Sequence, residues 1–327
     1  MTRGDWTLAA LVAGVRAGDT RALARAITLV EDGDALAYEL VRELFPATGN
    51  ARSVGFTGPP GVGKSSLISA LVTHVRGEER TVGVISVDPS SPLTHGALLG
   101  DRIRLVEHFL DPGVFIRSMG TRGHAGGLAE ATLQALLLLD ASGKELVFVE
   151  TVGTGQNEVG IASIADLVVL VLQPGSGDSV QALKAGIMEI PDVIVVNKRD
   201  HPHAEALVVD VRQVLSLAPG PKSPIVLTNA LAGEGVVELW TTIEERLAAL
   251  EQGGGLADRR RRNVGAEVFA VASARARSRL EEAVREDPEL GRLLEAVEER
   301  RLDPLTAVRD ILKQVFHLGD ENRSDTL

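Results

Sequence analysis

Val54-Gly55-Phe56-Thr57-Gly58-Pro59-Pro60-Gly61-Val62-Gly63-Lys64-Ser65 carries the strongest chemical signal in the chain. From Gly58 to Ser65 it matches G-x-x-x-x-G-K-[ST], the spacing with which a loop wraps a phosphate. Glycines let successive backbone N–H groups turn inward, and the helix that follows adds the positive end of its dipole. In such a loop Lys64 reaches the β- and γ-phosphates and the Ser65 hydroxyl ligates Mg2+. Pro59, Pro60, Gly61, Val62, Gly63 and Ser66 complete the expected phosphate cradle. A strand-like run precedes the loop, and Ser66-Leu67-Ile68-Ser69-Ala70-Leu71-Val72 continues it as an amphipathic helix. The competing reading, a Gly-rich turn that merely caps a helix, explains neither flank.

Outward from this loop, residues 50 to about 250 alternate short β-branched runs with Gly-rich loops and helical stretches. Candidate strands are Ser53–Thr57, Val82–Val87, Val114–Arg117, Leu146–Glu150, Leu167–Leu172, Val193–Asn197 and Ile225–Thr228. Their near-continuous apolar character suits strands buried on both faces of a mostly parallel sheet with helical crossovers. Residues before about 45 repeat apolar positions at helical spacing, with Asp19 and Asp34 standing where N-caps belong. Gly253-Gly254-Gly255 breaks the chain, and residues 256–327 return to helical texture. The expectation is an α/β fold in three parts: an N-terminal helical extension over 1–45, a P-loop domain over 46–250, and a C-terminal helical arm over 251–327. The Arg259–Arg262 run after the break reads as a charge run on a solvated helix.

Asn197-Lys198-Arg199-Asp200 follows the strand Val193-Ile194-Val195-Val196, where an N-K-x-D loop reads guanine. A carboxylate at Asp200 accepts from both the ring N–H and the exocyclic amine of guanine, a donor pair that adenine lacks. Asn197 would tie loops together, and the Lys198 stem would cover the base. Thr228, Asn229 and Ala230, after the next strand, are placed to add backbone contacts to the base. Together with the phosphate loop, this makes the middle segment a P-loop GTPase domain that binds GTP and GDP. Lysine usage supports the assignment: the chain has 28 Arg and only 6 Lys, yet uses Lys at 64 and 198.

Three carboxylates could converge on the metal beside Ser65. Asp88 ends one candidate strand, Glu150 ends another, and Asp101 follows in a loop. Gly153 could donate its N–H to a γ-phosphate. Thr154 stands where Ras-like GTPases carry their water-orienting Gln, so Gln156 and Lys184 are candidates to substitute and intrinsic turnover should be slow. Catalytic candidates are therefore Lys64, Glu150 and Lys184. Two Gly-rich loops are candidates for switch or partner contact, one with Arg122 and the other with Asp178 and Lys184.

Bulk properties narrow the partners. A formal charge of −11 and only 3% aromatic residues argue against a nucleic-acid partner, which needs a basic face and stacking platforms. With no Cys, disulfides, thiolate nucleophiles and Cys-based zinc sites are excluded. The densest apolar run, Ile161 to Leu172, contains Asp166 and is too short to span a bilayer. No membrane contact and a cytoplasmic location are expected.

The strings GFTGPPGVGKSSLI, VDPSSPLTHGALLGDRIR, RSMGTRGHAGGLAEAT, VETVGTGQNE, LQPGSGDSVQALKAGI and VVNKRD resemble, in this order, the MeaB/ArgK/MMAA family. These are GTPase chaperones of adenosylcobalamin-dependent methylmalonyl-CoA mutase and related mutases. The resemblance covers at least residues 8 to 240. It implies a GTPase that gates adenosylcobalamin loading, protection or reactivation of such a mutase, with cobalamin adenosyltransferase as a further partner. It also implies a homodimer formed by the helical arm, and a third switch around Asp178 and Lys184 that meets the partner. An arginine-transport kinase, an older description of such proteins, finds no support, because no acceptor-activating base is identifiable. A metal-insertion GTPase would be expected to carry His- or Cys-rich segments that this chain lacks. A scaffold that binds nucleotide without hydrolysis is separated by measured phosphate release.

Overall fold

Seven apolar segments assemble into one sheet in the computed structural model, which describes residues 6–88, 102–120, 127–151, 161, 163–175, 191–217 and 222–316. The strands are β1 (Arg52–Thr57), β2 (Val82–Asp88), β3 (Val114–Gly120), β4 (Leu146–Thr151), β5 (Leu167–Leu172), β6 (Val193–Val196) and β7 (Ile225–Leu227). All pairings are parallel, in the order β3-β2-β4-β1-β5-β6-β7. Parallel strands carry helices on both faces, which is why β4, β5 and β6 are buried at every position, and β5 and β6 are wholly apolar.

The helices divide between the faces. One face carries α4 (Lys64–Gly77) and, late in the chain, α7 (Val236–Gln252). Leu67, Leu71 and Val75 of α4 and Trp240 and Ile243 of α7 share a core with Val54, Phe56 and Phe148. Phe148 packs edge-on against Phe56 and Trp240, with ring centroids 5.5 and 6.4 Å apart. The opposite face carries α1 (Leu8–Arg16), α2 (Thr20–Glu31), α3 (Ala35–Leu44) and α5 (Gly127–Ala141). Asp19 and Asp34 cap α2 and α3 by accepting from backbone N–H groups two or three residues ahead. Leu11, Leu23, Ile27 and Leu40 of these helices join Phe115, Met119, Val147 and Val149 in a second core. The N-terminal helices thus complete one side of the sheet. Beyond it, α6 (Ala204–Leu217) covers β6 with Leu207, Val208 and Val211.

The chain ends in α8 (Gly255–Glu286), α9 (Pro288–Glu298) and α10 (Pro304–Phe316). Two compact units divide within α8, between Glu267 and Val268. Among the described residues of the second unit only Leu290, Ala307 and Ile311 are buried, while Val268, Phe269, Leu294, Leu305 and Val308 are exposed. Asp287 caps α9 through the Glu289 N–H at 2.8 Å, with Pro288 in the first turn.

The arginine run departs from expectation. Arg259 and Arg260 are not solvated: they pair with Asp192 and Asp166, and their side chains are 22% and 32% exposed. Only Arg261 and Arg262 face solvent. Two of the four charges are structural because carboxylates distant in sequence meet them.

Candidate functional site

β1 delivers Thr57 to the carboxyl edge of the sheet, and the chain turns through Gly58–Gly63 before α4 begins at Lys64. Gly63 has φ 93° and ψ 28°, a left-handed conformation that a side chain disfavours. A Cβ on Gly63 would also stand 2.5 Å from Asn197 Nδ2, so the residue must be glycine on two counts. Lys64 is 6% exposed, and its Nζ donates to the carbonyls of Gly58 at 2.7 Å and Pro59 at 3.0 Å. These oxygens hold a buried ammonium inside the loop that sequence assigns to phosphate.

Ser65 and Glu150 meet beside it. Glu150 lies on β4 between β1 and β2, in register with Phe56 and Ser86. The Ser65 hydroxyl donates to Glu150 Oε1 at 2.7 Å, and the Ser86 hydroxyl lies 3.5 Å from Oε2. Both Ser65 and Glu150 are buried. A hydroxyl and a carboxylate in contact at the carboxyl edge are a hard-oxygen pair of the kind Mg2+ takes, so the residues present fit that ion. The buried Thr57 hydroxyl has no hydrogen-bond partner among the described residues.

Asn197 joins the two halves of the site. Its Nδ2 donates to the Val62 carbonyl at 2.8 Å, and its Oδ1 accepts from the Thr228 hydroxyl and the Ala230 N–H, each at 3.1 Å. One carboxamide, 3% exposed, therefore ties the phosphate loop to both segments read as base contacts. Lys198 takes φ 58°, unusual for a side-chain-bearing residue, and its Nζ lies 3.4 Å from the Gly61 carbonyl. Asp200 is exposed on the following turn. Asn229 closes a bridge with Glu234, so the loop after β7 has a fixed path. Ser66, on the first turn of α4, and Ala230 line one open cleft of about 620 Å³.

The structure thus brings together Gly58, Pro59, Pro60, Gly61, Val62, Gly63, Lys64, Ser65, Ser66, Glu150, Asn197, Lys198, Thr228 and Ala230 at one sheet edge, with Asp200 and Asn229 on adjoining turns. β2 ends at Asp88, as the sequence implies, but its side chain lies outside what is described. Asp101, Arg122, Gly153, Gln156, Asp178 and Lys184 also lie outside the described residues. Ser86 was not singled out from sequence; its alternate position two residues before Asp88 was the available signal.

A parallel sheet carrying G-x-x-x-x-G-K-S and N-K-x-D loops on one edge defines a fold of the P-loop GTPase class. The family model of the methylmalonyl Co-A mutase-associated GTPase MeaB matches residues 23–287. A putative GTPase of Pyrococcus abyssi is 46% identical over 315 residues, which cover 94% of this chain and 97% of that protein. GTPase ArgK of Escherichia coli is 36% identical over 261 residues, covering 76% and 79%. The mouse methylmalonic aciduria type A homolog, a mitochondrial protein, is 33% identical over 274 residues, covering 76% and 65%. A crystal structure described as an LAO/AO transport system kinase has a TM-score of 0.72 at 27% identity, covering 97% of this chain and 100% of that one. The chain belongs to the MeaB family of methylmalonyl-CoA mutase-associated GTPases. Among the described residues no helix is long and apolar enough to cross a membrane.

Proposed function

We propose that this protein binds and hydrolyses GTP with Mg2+, slowly alone and faster with an adenosylcobalamin-dependent acyl-CoA mutase of the methylmalonyl-CoA mutase type. In this reading the nucleotide state gates loading, protection or reactivation of the mutase's cofactor in the cytoplasm. The observation that carries it is the Asn197 carboxamide, which fixes the phosphate loop against the base-reading segments through Val62, Thr228 and Ala230. Family membership supports the partner.

Each residue has a part that its surroundings support. The Lys64 ammonium would exchange its Gly58 and Pro59 carbonyl partners for phosphate oxygens, bringing a positive charge to the transferring group. Ser65 and Glu150 would hold Mg2+, with Asp88 and Asp101 completing its surroundings directly or through water. The ion supplies neutralisation of charge on the β- and γ-phosphates. Asp200 would accept from guanine, and the Lys198 stem would cover its face. Gly153 and Gln156 would sense the γ-phosphate, while Arg122, Asp178 and Lys184 would meet the partner and bring charge to the phosphates once docked. The exposed Val268, Phe269 and Leu294 support a homodimer through residues 251–327. Cobalamin adenosyltransferase belongs to the same reading as a second partner.

The test is a mixed-component binding assay with a methylmalonyl-CoA mutase, run with GDP, with a non-hydrolysable GTP analogue and without nucleotide. The reading expects association that depends on the nucleotide. Equal association in all three conditions, or none in any, contradicts it.

A further inference from the structure

In a parallel sheet every loop that leaves the carboxyl edge must return to the amino edge before the next strand. The two segments that hold the unassigned catalytic candidates both do so. Residues 152–166 run from β4 to β5, and residues 173–192 run from β5 to β6. Their last residues are Asp166 and Asp192, each one position ahead of its strand. Both carboxylates are caught by consecutive arginines of one helix, α8.

The contacts are extensive. Arg260 donates Nε and Nη2 to the two Asp166 carboxylate oxygens, each at 2.7 Å, and also reaches the carbonyls of Gly49 and Ala51. Arg259 donates to both Asp192 oxygens at 2.6 and 2.8 Å and to the Asp166 carbonyl at 2.7 Å. Asp166 Oδ2 accepts the Ser53 N–H of β1, and Asp192 Oδ2 accepts the Val168 N–H of β5. Asn263, one turn further along α8, lies 3.4 Å from the Ala165 carbonyl. The Asp166 side chain is 5% exposed and that of Asp192 is 15%, so removing either arginine strands a buried charge. The turn before Asp166 is seated too: Ile161 and Ala165 lie where a side chain on Gly55 of β1 would have to go.

We propose that Arg259 and Arg260 are positioning residues for GTP turnover, clamping at the amino edge the return ends of the two chain connections that start from the phosphate edge. The proposal rests on the GTPase reading above and deepens it. Nucleotide affinity resides on Gly58–Ser66 and on Asn197–Ala230, segments to which neither arginine bonds. Losing the clamp should therefore lower the rate of hydrolysis while leaving affinity nearly intact. A role in stability alone predicts no such split. Lysine keeps the charge but lacks the planar fork, so Arg→Lys should restore turnover partially.

The test uses the full chain with Arg259→Ala, Arg260→Ala, Arg259→Lys and Arg260→Lys. GTP affinity, single-turnover hydrolysis and amide hydrogen exchange are measured well below each melting temperature. Hydrolysis should fall by about tenfold in the Ala variants with GTP affinity within about threefold, and the Lys variants should lie between. Exchange should rise in 152–160 for the Arg260 variants, and in 176–190 with a smaller rise in 152–160 for the Arg259 variants, with β2 and β3 unchanged. If the Ala variants do not fold, the Lys pair carries the same comparison. Unchanged hydrolysis in folded variants, or exchange rising evenly over the sheet, overturns the clamp. Absence of hydrolysis by the unaltered protein instead defeats the GTPase reading, and the loop-specific exchange pattern then decides the clamp alone.

Discussion

Asn197 Nδ2 donates to the Val62 carbonyl at 2.8 Å, so a residue beyond β6 holds the crown of the loop between β1 and α4. The two segments are 135 residues apart in sequence. Asn197→Ala leaves the Val62 carbonyl, the Thr228 hydroxyl and the Ala230 N–H without this partner. A stranded buried polar group costs about 1–3 kcal/mol, so the loss should be a few kcal/mol. Denaturant unfolding should show it, with GTP affinity weakened by about a hundredfold, the binding equivalent of about 2.7 kcal/mol. Near-normal affinity in a folded Asn197→Ala protein would separate the two loops.

Gly63→Ala probes the same brace from the other side. The new Cβ must displace the Asn197 carboxamide 2.5 Å away and also hold φ 93°. The left-handed backbone alone costs about 1–2 kcal/mol. A folded variant with GTP binding reduced by at least about tenfold is expected in titration calorimetry. Wild-type binding would mean that the loop rearranges freely.

Glu150→Gln keeps an oxygen to accept from Ser65 and removes the charge. Half-maximal hydrolysis should then need about tenfold more Mg2+, with nucleotide affinity in its absence within about threefold. An unchanged Mg2+ dependence would take Glu150 out of the metal's surroundings.

The strands and the phosphate loop were legible in the sequence because each is a local pattern. All seven candidate strands appear, and differences are confined to their ends: β1 starts at Arg52, β2 reaches Asp88, β3 runs to Gly120, β4 runs to Thr151, β6 stops at Val196 and β7 at Leu227. The caps at Asp19 and Asp34 were legible for the same reason, since an N-cap is satisfied within three residues. Strand order was not, because pairing brings together segments that no local pattern relates. Nor was it legible that α1, α2 and α3 share a core with the sheet. The arginine run shows the limit most plainly. Asp166 and Asp192 lie 94 and 67 residues before Arg260 and Arg259, and without those partners a run of four arginines has the texture of a solvated face. Asn197 was readable as a tie between loops, but its attachment to Val62 requires the fold.

Base choice can be inverted. Asp200→Asn turns one of two acceptors into a donor, which suits the second carbonyl of xanthine in place of the guanine amine. Competition binding should show preference moving from GTP toward xanthosine triphosphate. A variant that still prefers GTP as strongly as the unaltered protein would remove Asp200 from base recognition.

Among the described side chains of residues 268–316 only Leu290, Ala307 and Ile311 are deeply buried and Phe269 is 75% exposed, too small a core for comfortable independence. A second copy would cover that surface with twofold self-complementarity. Sedimentation should give a dimer for the full chain and a monomer for Phe269→Asp, at equal helix content. A monomeric unaltered chain would rule out the arm as a dimer surface.

Single-turnover release of phosphate from GTP, measured with Mg2+ and with or without an adenosylcobalamin-dependent methylmalonyl-CoA mutase, tests the account most directly. Thr154 at the position of a water-orienting Gln implies slow release by the free protein. Mutase should raise that rate by about tenfold or more, equivalent to about 1.4 kcal/mol of barrier, with no release from ATP. Equal rates with and without mutase, or equal release from ATP, would contradict it.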